Sequence, residues 1–259
     1  MVLSASGALE WDSEKLKAAA NSLAPRGRLR AAINFGNGVL AQRGPDGGPP
    51  RGVSVQLATE LARRLDVPLD LVTFEAAGKV FAALSSDVWD IAFLANEPER
   101  AKEVDFTSPY VSIDATYLVA ADSPYRAVAD LDQPHVVVAV GKGAAYDLYL
   151  SRTLKHATLV RAPTSSGASD MFLESLASGS HSDLSAAAGV RQALDDAAKG
   201  RSDVRVLGEA FTSVEQAMAT PRGRESGSAY LCAFIDEVKA AGFVRQALDA
   251  TGQTAARVS

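Results

Sequence analysis

Residues 88–110 read VWDIAFLANEPERAKEVDFTSPY and carry the clearest structural signal in the chain. The apolar run at residues 91–94 has the length and continuity of a β-strand that is buried on both faces. Pro98 then ends the strand and predicts the first turn of a short helix, which residues 107–109 would stop. Arg100 therefore lies about one turn beyond a strand end, and ligands of α/β sheets bind at such ends.

The same block resembles a known family. Its residues PER at 98–100, DFT at 105–107 and PY at 109–110 resemble the P-E-R-x-K-x-V-D-F-S-x-P-Y block of the family 3 extracellular solute-binding proteins. These are receptors of amino-acid ABC importers, and they share their fold with the ligand-binding cores of ionotropic glutamate receptors. The resemblance implies that Arg100 forms a bidentate pair with a ligand carboxylate, which suits its planar guanidinium. From the residues alone, Arg100 could instead be a solvated surface charge paired with Glu97 or Asp105.

The composition sets limits on function. The chain has 259 residues, 47% hydrophobic and 22% charged, which is typical of a soluble globular protein. Its net charge of -5 gives no reason to expect a nucleic-acid partner. No run of about 18 apolar residues is present, so no membrane span is predicted.

Residues for metal or covalent chemistry are sparse. The one cysteine, Cys232, excludes an internal disulfide and a thiolate metal site, and its apolar neighbours at helical spacing predict a buried, inert thiol. His135, His156 and His181 lie at unrelated positions, and neither a Gly-x-Ser-x-Gly elbow nor an HExxH helix occurs. The sequence therefore predicts no metal, no cofactor and no catalytic residue.

Strand and helix patterns alternate along the chain. Residues 29–35 and 67–74 read as strands, and residues 52–65 form an amphipathic helix between them with apolar positions at i, i+3, i+4 and i+7. Another helix at residues 78–85 leads to the strand at 91–94. This order predicts an α/β protein with right-handed crossovers and mostly parallel sheets flanked by helices.

The resemblance implies two lobes joined by two hinge strands. A β-branched and aromatic strand at residues 113–120 would cross to the second lobe. Residues 214–223 resemble the return strand Y-G-I-A-T-P-K-G of the family. We therefore predict a lead-in segment at residues 1–27, a first lobe at 28–112 plus 214–259, and a second lobe at 113–213.

Candidate ligand-binding residues of the first lobe lie at strand ends. The loop after the first strand offers Asn34, Phe35 and Asn37, although an asparagine beside glycine is also common turn chemistry. Ala95 ends the strand that precedes Arg100. Two further candidates are Lys79 and Trp89, but a tryptophan at such a position is more often a core residue.

In the second lobe, a buried strand at residues 136–140 runs through Gly141, Lys142 and Gly143 into a helix. Such a turn exposes backbone N–H groups at a helix N-terminus, which is an anion site. We expect the N–H groups of Gly143, Ala144 and Ala145 to face the ligand. No third glycine follows, so a dinucleotide is not predicted.

A loop of hydroxyl residues follows the next strand. Thr164, Ser165 and Ser166 precede a helix, and they either cap it or contact the ligand. Ser165 and Ser166 are retained as candidate ligand-binding residues.

The sequence departs from the family near residues 182–189, which read SDLSAAAG. In the family, an acidic residue here pairs with the ligand's ammonium group, but the matching position is Ala188. Asp183 lies at the family's structural aspartate. Because a buried ammonium without a counter-ion is costly, we expect a small carboxylate without an α-amine, or an amine held by backbone carbonyls.

We therefore predict a monomeric solute-binding protein that captures a small anionic solute, an amino acid or an organic acid, for the permease of an ABC importer. One alternative is an enzyme like the cyclohexadienyl and arogenate dehydratases, but Ala188 and Gly189 stand where those enzymes place an acid. Another is a ligand-sensing domain without a transporter. Residues 1–7 do not form a secretory signal, so the protein is periplasmic or extracellular if a leader has been removed, and otherwise cytoplasmic.

Overall fold

The computed structural model describes residues 11–178 and 184–259. Within these ranges, eleven strands form one continuous sheet. They are β1 (Leu29–Asn34), β2 (Leu69–Phe74), β3 (Ile91–Ala95), β4 (Val104–Phe106), β5 (Val111–Ala120), β6 (Val137–Gly141), β7 (Thr158–Ala162), β8 (Ala186–Val190), β9 (Val204–Val206), β10 (Thr212–Pro221) and β11 (Arg257–Val258). The α-helices of the same ranges are α1 (Ser13–Leu23), α2 (Val53–Leu65), α3 (Ala77–Ala82), α4 (Ala145–Thr153), α5 (Ser165–Ala177), α6 (Arg191–Ala198), α7 (Glu225–Ala240) and α8 (Phe243–Asp249).

The sheet consists of two parallel halves with an antiparallel centre. The strand order is β2-β1-β3-β10-β5-β8-β6-β7. Strands β2, β1 and β3 are parallel in one half, and β8, β6 and β7 are parallel in the other. The long antiparallel strands β5 and β10 join the halves. The predicted α/β fold with two lobes and two hinge strands is confirmed.

Helices cover both faces of the first lobe, which explains its continuous apolar strands. In β1, Ala31 and Ile33 pack into the core formed with α1, α2 and α7. Ala32 packs on the opposite face against Val80 and Trp89. Since successive side chains of a strand alternate between faces, a strand covered on both sides must be apolar throughout.

The second lobe repeats this construction. On one face of β6, Val138 and Val140 pack with Tyr146 of α4. On the other face, Ala139 packs with Phe172 of α5. The carboxyl ends of the parallel strands in both lobes therefore meet the beginnings of α4 and α5 near the centre of the molecule.

Three local predictions need correction. The helix predicted after Pro98 is a single 3-10 turn at Arg100–Lys102, because residues 104–106 pair with β10 as the short strand β4. Strand β11, which pairs with β5, was not predicted. Cys232 is half-buried rather than fully buried, and burial raises the pKa of its thiol.

Some predictions stay untested. The interpretation of Asp183 as a structural aspartate, His181 and residues 1–10 of the lead-in segment lie outside the described residues. Strand β10 pairs with β3 of the first half, β5 pairs with β8 of the second, and the two pair with each other. The division of the chain at residues 112 and 214 stays a prediction.

Candidate functional site

A cavity of about 300 Å³ lies between the two lobes. Strands β1 and β3 end at its first-lobe wall, and helices α4 and α5 begin at its second-lobe wall. Its size is at the lower end of the range for small-molecule sites. The predicted site residues that line it are Asn34, Phe35, Asn37, Ala95, Arg100, Ala144, Ala145, Ser165 and Ser166.

Arg100 is buried in the wall of this cavity, with 1% of its surface exposed. Its Nη1 donates to the carbonyl of Ala95 at 3.2 Å, and its Nη2 donates to the carbonyl of Gly143 in the other lobe at 2.8 Å. Burial lowers the pKa of Arg100 to about 10, and nearby Glu97 opposes this shift. The guanidinium therefore stays charged at neutral pH.

The alternative of a solvated surface arginine is wrong, because Arg100 is buried. Its two suggested acidic partners have other cations nearby. Glu97 pairs with Arg152 at 2.7 Å, and Asp105 lies 3.9 Å from Arg222.

Helix α4 brings backbone N–H groups to the cavity. Its N-cap residue, Ala144, makes no side-chain cap, and the first N–H groups of a helix have no partner inside it. Gly143 differs from the prediction: it does not line the cavity, and its N–H donates to the Asp147 carboxylate at 2.8 Å. The Ala144 N–H bonds to the Gly141 carbonyl. The available donors therefore begin at Ala145.

Helix α5 begins at the same cavity. Thr164 caps it, since its hydroxyl accepts a hydrogen bond from the N–H of Gly167 at 3.0 Å. Thr164, Ser165 and Ser166 all line the cavity. The hydroxyl loop thus caps a helix and also forms part of the wall.

The loop after β1 shapes the first-lobe wall. The side-chain oxygen of Asn34 accepts from the N–H of Gly36 at 2.9 Å, and that of Asn37 accepts from the N–H of Val39 at 3.2 Å. Both asparagines therefore make turns while lining the cavity. The guanidinium of Arg43 lies over the ring of Phe35 at 4.5 Å.

Lys79 and Trp89 lie away from the cavity wall. The indole of Trp89 is buried in the first lobe and donates to the carbonyl of Val80 at 3.0 Å. Lys79 is exposed.

Sequence reasoning missed three buried polar side chains in the wall. Tyr146, Ser169 and Gln216 are 3%, 8% and 5% exposed. Neither Ser169 nor Gln216 forms a side-chain hydrogen bond to a described residue. Burial raises the pKa of Tyr146 to about 12, with Ser165 opposing the shift. No local pattern marks them, because each lies in an otherwise ordinary helix or strand.

Carboxylates reach the cavity from unexpected elements. Ala188, the position of the family's ammonium partner, is fully buried in a hydrophobic core and does not line the cavity. The residues of β8 that do line the cavity are Gly189 and Val190, and both are uncharged. The charged residues of the wall are Arg100, Glu75 from the loop after β2, and Asp170 from α5.

These features define a class: a two-lobed binding protein with its site between the lobes. The chain belongs to the bacterial extracellular solute-binding proteins, family 3, which it matches over residues 42–250. None of the helices in the described ranges has the length and apolar character needed to cross a membrane.

Solved structures share this fold at low sequence identity. A mutant of ArgBP from T. maritima is 22% identical, with a TM-score of 0.73 and coverage of 90% of this chain and 99% of the other. The ancestral amino acid-binding protein AncCDT-1, a precursor of cyclohexadienyl dehydratase, is 23% identical, with a TM-score of 0.71 and coverage of 89% and 97%. AbpA from Streptococcus pneumoniae, bound to L-arginine, is 21% identical, with a TM-score of 0.73 and coverage of 90% and 98%.

A curated relative matches a shorter segment. Membrane-bound lytic murein transglycosylase F from Actinobacillus pleuropneumoniae is 34% identical over 79 residues. The match spans 29% of this chain but 16% of the relative's length.

Proposed function

We propose that the protein captures an amino acid between its lobes and delivers it to the permease of an ABC importer outside the cytoplasm. The observation that carries this proposal is the buried guanidinium of Arg100 beside the first turns of α4 and α5. Within the described residues, its hydrogen bonds go to two neutral carbonyls. A bound anion would give the guanidinium a charged hydrogen-bond partner.

A carboxylate fits this position. Arg100 presents five N–H donors in a fixed fork, and the partial positive charge of a helix N-terminus favours an anion. Charge-assisted hydrogen bonds of this kind contribute about 1.5–3 kcal/mol each. The ligand's carboxylate would bind Arg100 together with the N–H of Ala145 and the hydroxyl loop.

An amino acid is a better candidate than an organic acid without an amine. The sequence-based expectation of an amine-free ligand rested on Ala188, yet the carboxylate of Asp170 reaches the same cavity, where it can pair with a ligand cation. The similarity to AncCDT-1 and to AbpA bound to L-arginine supports this choice. Hinge motion about β5 and β10 would open and close the cavity.

The test is a thermal-shift screen of amino acids and of small organic acids without an amine. A ligand at 100 times its dissociation constant stabilises a protein by about 2.7 kcal/mol, so a binding amino acid should raise the melting temperature. Arg100→Met should fold, because it replaces a buried charge by an apolar chain. It should lose at least about tenfold in affinity.

Lys79→Met is the matched control, since it removes an exposed cation that does not line the cavity. Its affinity should equal that of the wild type. Recovery of the ligand unchanged in mass separates binding from the dehydratase alternative. Unaltered affinity in Arg100→Met, or conversion of the ligand, would overturn the proposal.

A further inference from the structure

The cavity continues into the second lobe between α5 and α6. Ser169 and Asp170 of α5 line one side of this extension, and Ala193 and Ala197 of α6 line the other. Gly189 of β8 also lines it. The α6 residues of this wall are small alanines, and we refer to this part of the cavity as the passage between α5 and α6.

Asp170 is an unpaired negative charge in this extension. Its carboxylate is exposed and forms no hydrogen bond or ion pair within the described residues. Glu75, the other acid of the cavity wall, is paired with Arg43 at 2.5 Å. Asp170 is therefore free to pair with a ligand cation.

A second polar side chain next to Asp170 also lacks a partner. The Ser169 side chain is 8% exposed, lines the cavity and makes no hydrogen bond to another described residue. The Ser169 oxygen is in contact with the cavity, so it is open to a ligand donor. A ligand donor between Ser169 and Asp170 would satisfy both side chains.

Strand β8 brings no acidic side chain to this extension. Ala188 is fully buried in the core, away from the cavity. At Gly189, an added Cβ would lie 3.0 Å from a methyl group of Leu194. An acidic side chain there would displace Leu194, so the available carboxylate comes from α5 instead.

The position of Asp170 indicates which cation it would bind. It lies five residues after Ser165, the first residue of α5, which corresponds to about 7.5 Å along the helix axis. An α-amine lies only about 2.5 Å from the carboxylate carbon of the same amino acid. The side-chain nitrogen of a basic amino acid reaches on the order of 6 Å or more.

We infer that the passage between α5 and α6 binds the side-chain amine or guanidinium of a basic amino acid, with Asp170 as the residue that determines this specificity. The inference rests on the proposed function, because it assumes that Arg100 holds the carboxylate at the other end of the ligand. The apolar stem of the ligand would pack against Ala193 and Ala197.

The test compares charged and neutral ligands of the same length by titration calorimetry. L-Arginine is paired with L-citrulline, and L-lysine with L-norleucine. The wild type should bind the basic member of each pair more tightly. Asp170→Asn should weaken binding of the basic members by about tenfold or more, as expected for a charge-assisted hydrogen bond, and should change binding of the neutral members by less than about twofold.

Asp196→Asn is the control, because it removes an exposed acid of α6 that does not line the cavity. Equal affinity of the wild type and Asp170→Asn for L-arginine and L-lysine overturns the specificity role of Asp170 and leaves the carboxylate site intact. A wild type that prefers the neutral members also overturns it. A wild type that binds no amino acid overturns the proposed function and the inference together.

Discussion

At the scale of single residues, charge pairing decides whether a polar side chain can be buried. The carboxylate of Asp90 is fully buried at the start of β3. It accepts from Arg30 Nε and Nη2, both at 2.8 Å, and from Arg224 Nη1 at 3.0 Å. The bond to Asp90 is the main reason why the pKa of Arg30 lies well above its ordinary value.

Removing the shared carboxylate should therefore strongly destabilise the protein. Asp90→Ala leaves the guanidinium groups of Arg30 and Arg224 without their common partner. We expect the free energy of unfolding to fall by about 3–5 kcal/mol, measured by urea denaturation. Asp122→Ala, which removes an exposed aspartate, should change it by less than about 0.5 kcal/mol. Similar values for the two variants would show that the network adds no stability.

At the scale of elements, strand β11 connects the two hinge strands. It pairs with β5 at residues 111 and 112. Arg257 bonds to Asp114 of β5 at 2.6 Å and to Ser213 of β10 at 3.1 Å. The hydrogen bond from Arg257 lowers the pKa of Asp114, so this pair is ionised at neutral pH. Since β11 contacts both hinge strands, we expect it to restrain the hinge.

Arg257→Ala should loosen the hinge more than it lowers global stability. An exposed ion pair contributes at most about 1 kcal/mol, but local opening is set by local contacts. We expect faster amide hydrogen exchange at residues 111–114 and 212–216, read by mass spectrometry, with a nearly unchanged melting temperature. Arg201→Ala, which breaks the exposed pair with Asp203, should leave these amides unaffected. Unchanged exchange in Arg257→Ala would contradict a restraining role.

At the scale of the whole molecule, the lobes meet at two glycines. Gly78 of α3 lies against the loop that precedes α4: a Cβ at Gly78 would be 2.7 Å from the Lys142 carbonyl oxygen and 3.2 Å from the Gly143 Cα. Gly143 has φ +72°, a left-handed conformation that favours glycine. The Arg100 bond to the Gly143 carbonyl and the Glu97–Arg152 ion pair join the lobes as well.

Gly78→Ala should impair closure of the lobes without lowering the stability of the free protein. Alanine favours a helix over glycine by about 1 kcal/mol, so the melting temperature of the free protein should be equal or higher. The added methyl group should hold the lobes apart and weaken binding of the best ligand in the amino-acid screen by about tenfold, which corresponds to about 1.4 kcal/mol. Small-angle scattering of the ligand-saturated variant should give a larger radius of gyration than the wild type.

Gly208→Ala is the control, because a methyl group there meets open space. Wild-type affinity and radius in Gly78→Ala would show that this contact does not limit closure.

The sequence predicted much of this architecture because the relevant signals are local. A strand covered on both faces must be apolar throughout, as at residues 91–94, and a helix on a sheet must repeat its apolar positions, as in α2. Arg100 was found because it follows a strand end within a recognisable block. Strand β11 was missed because two residues carry no periodic pattern, and their pairing with β5 depends on the path of the whole chain.

The site itself depends on long-range placement. The sequence alone predicted the alternation of strands and helices, the family block and an arginine at a strand end, because each of these features follows from neighbouring residues. The fold had to bring Tyr146, Asp170 and Gln216 to the same cavity from three separate elements. The packed chain also buries Ala188, and the Gly143 N–H donates to the carboxylate of Asp147. Burial and hydrogen-bond partners are properties of the packed chain, so no local spacing could reveal them.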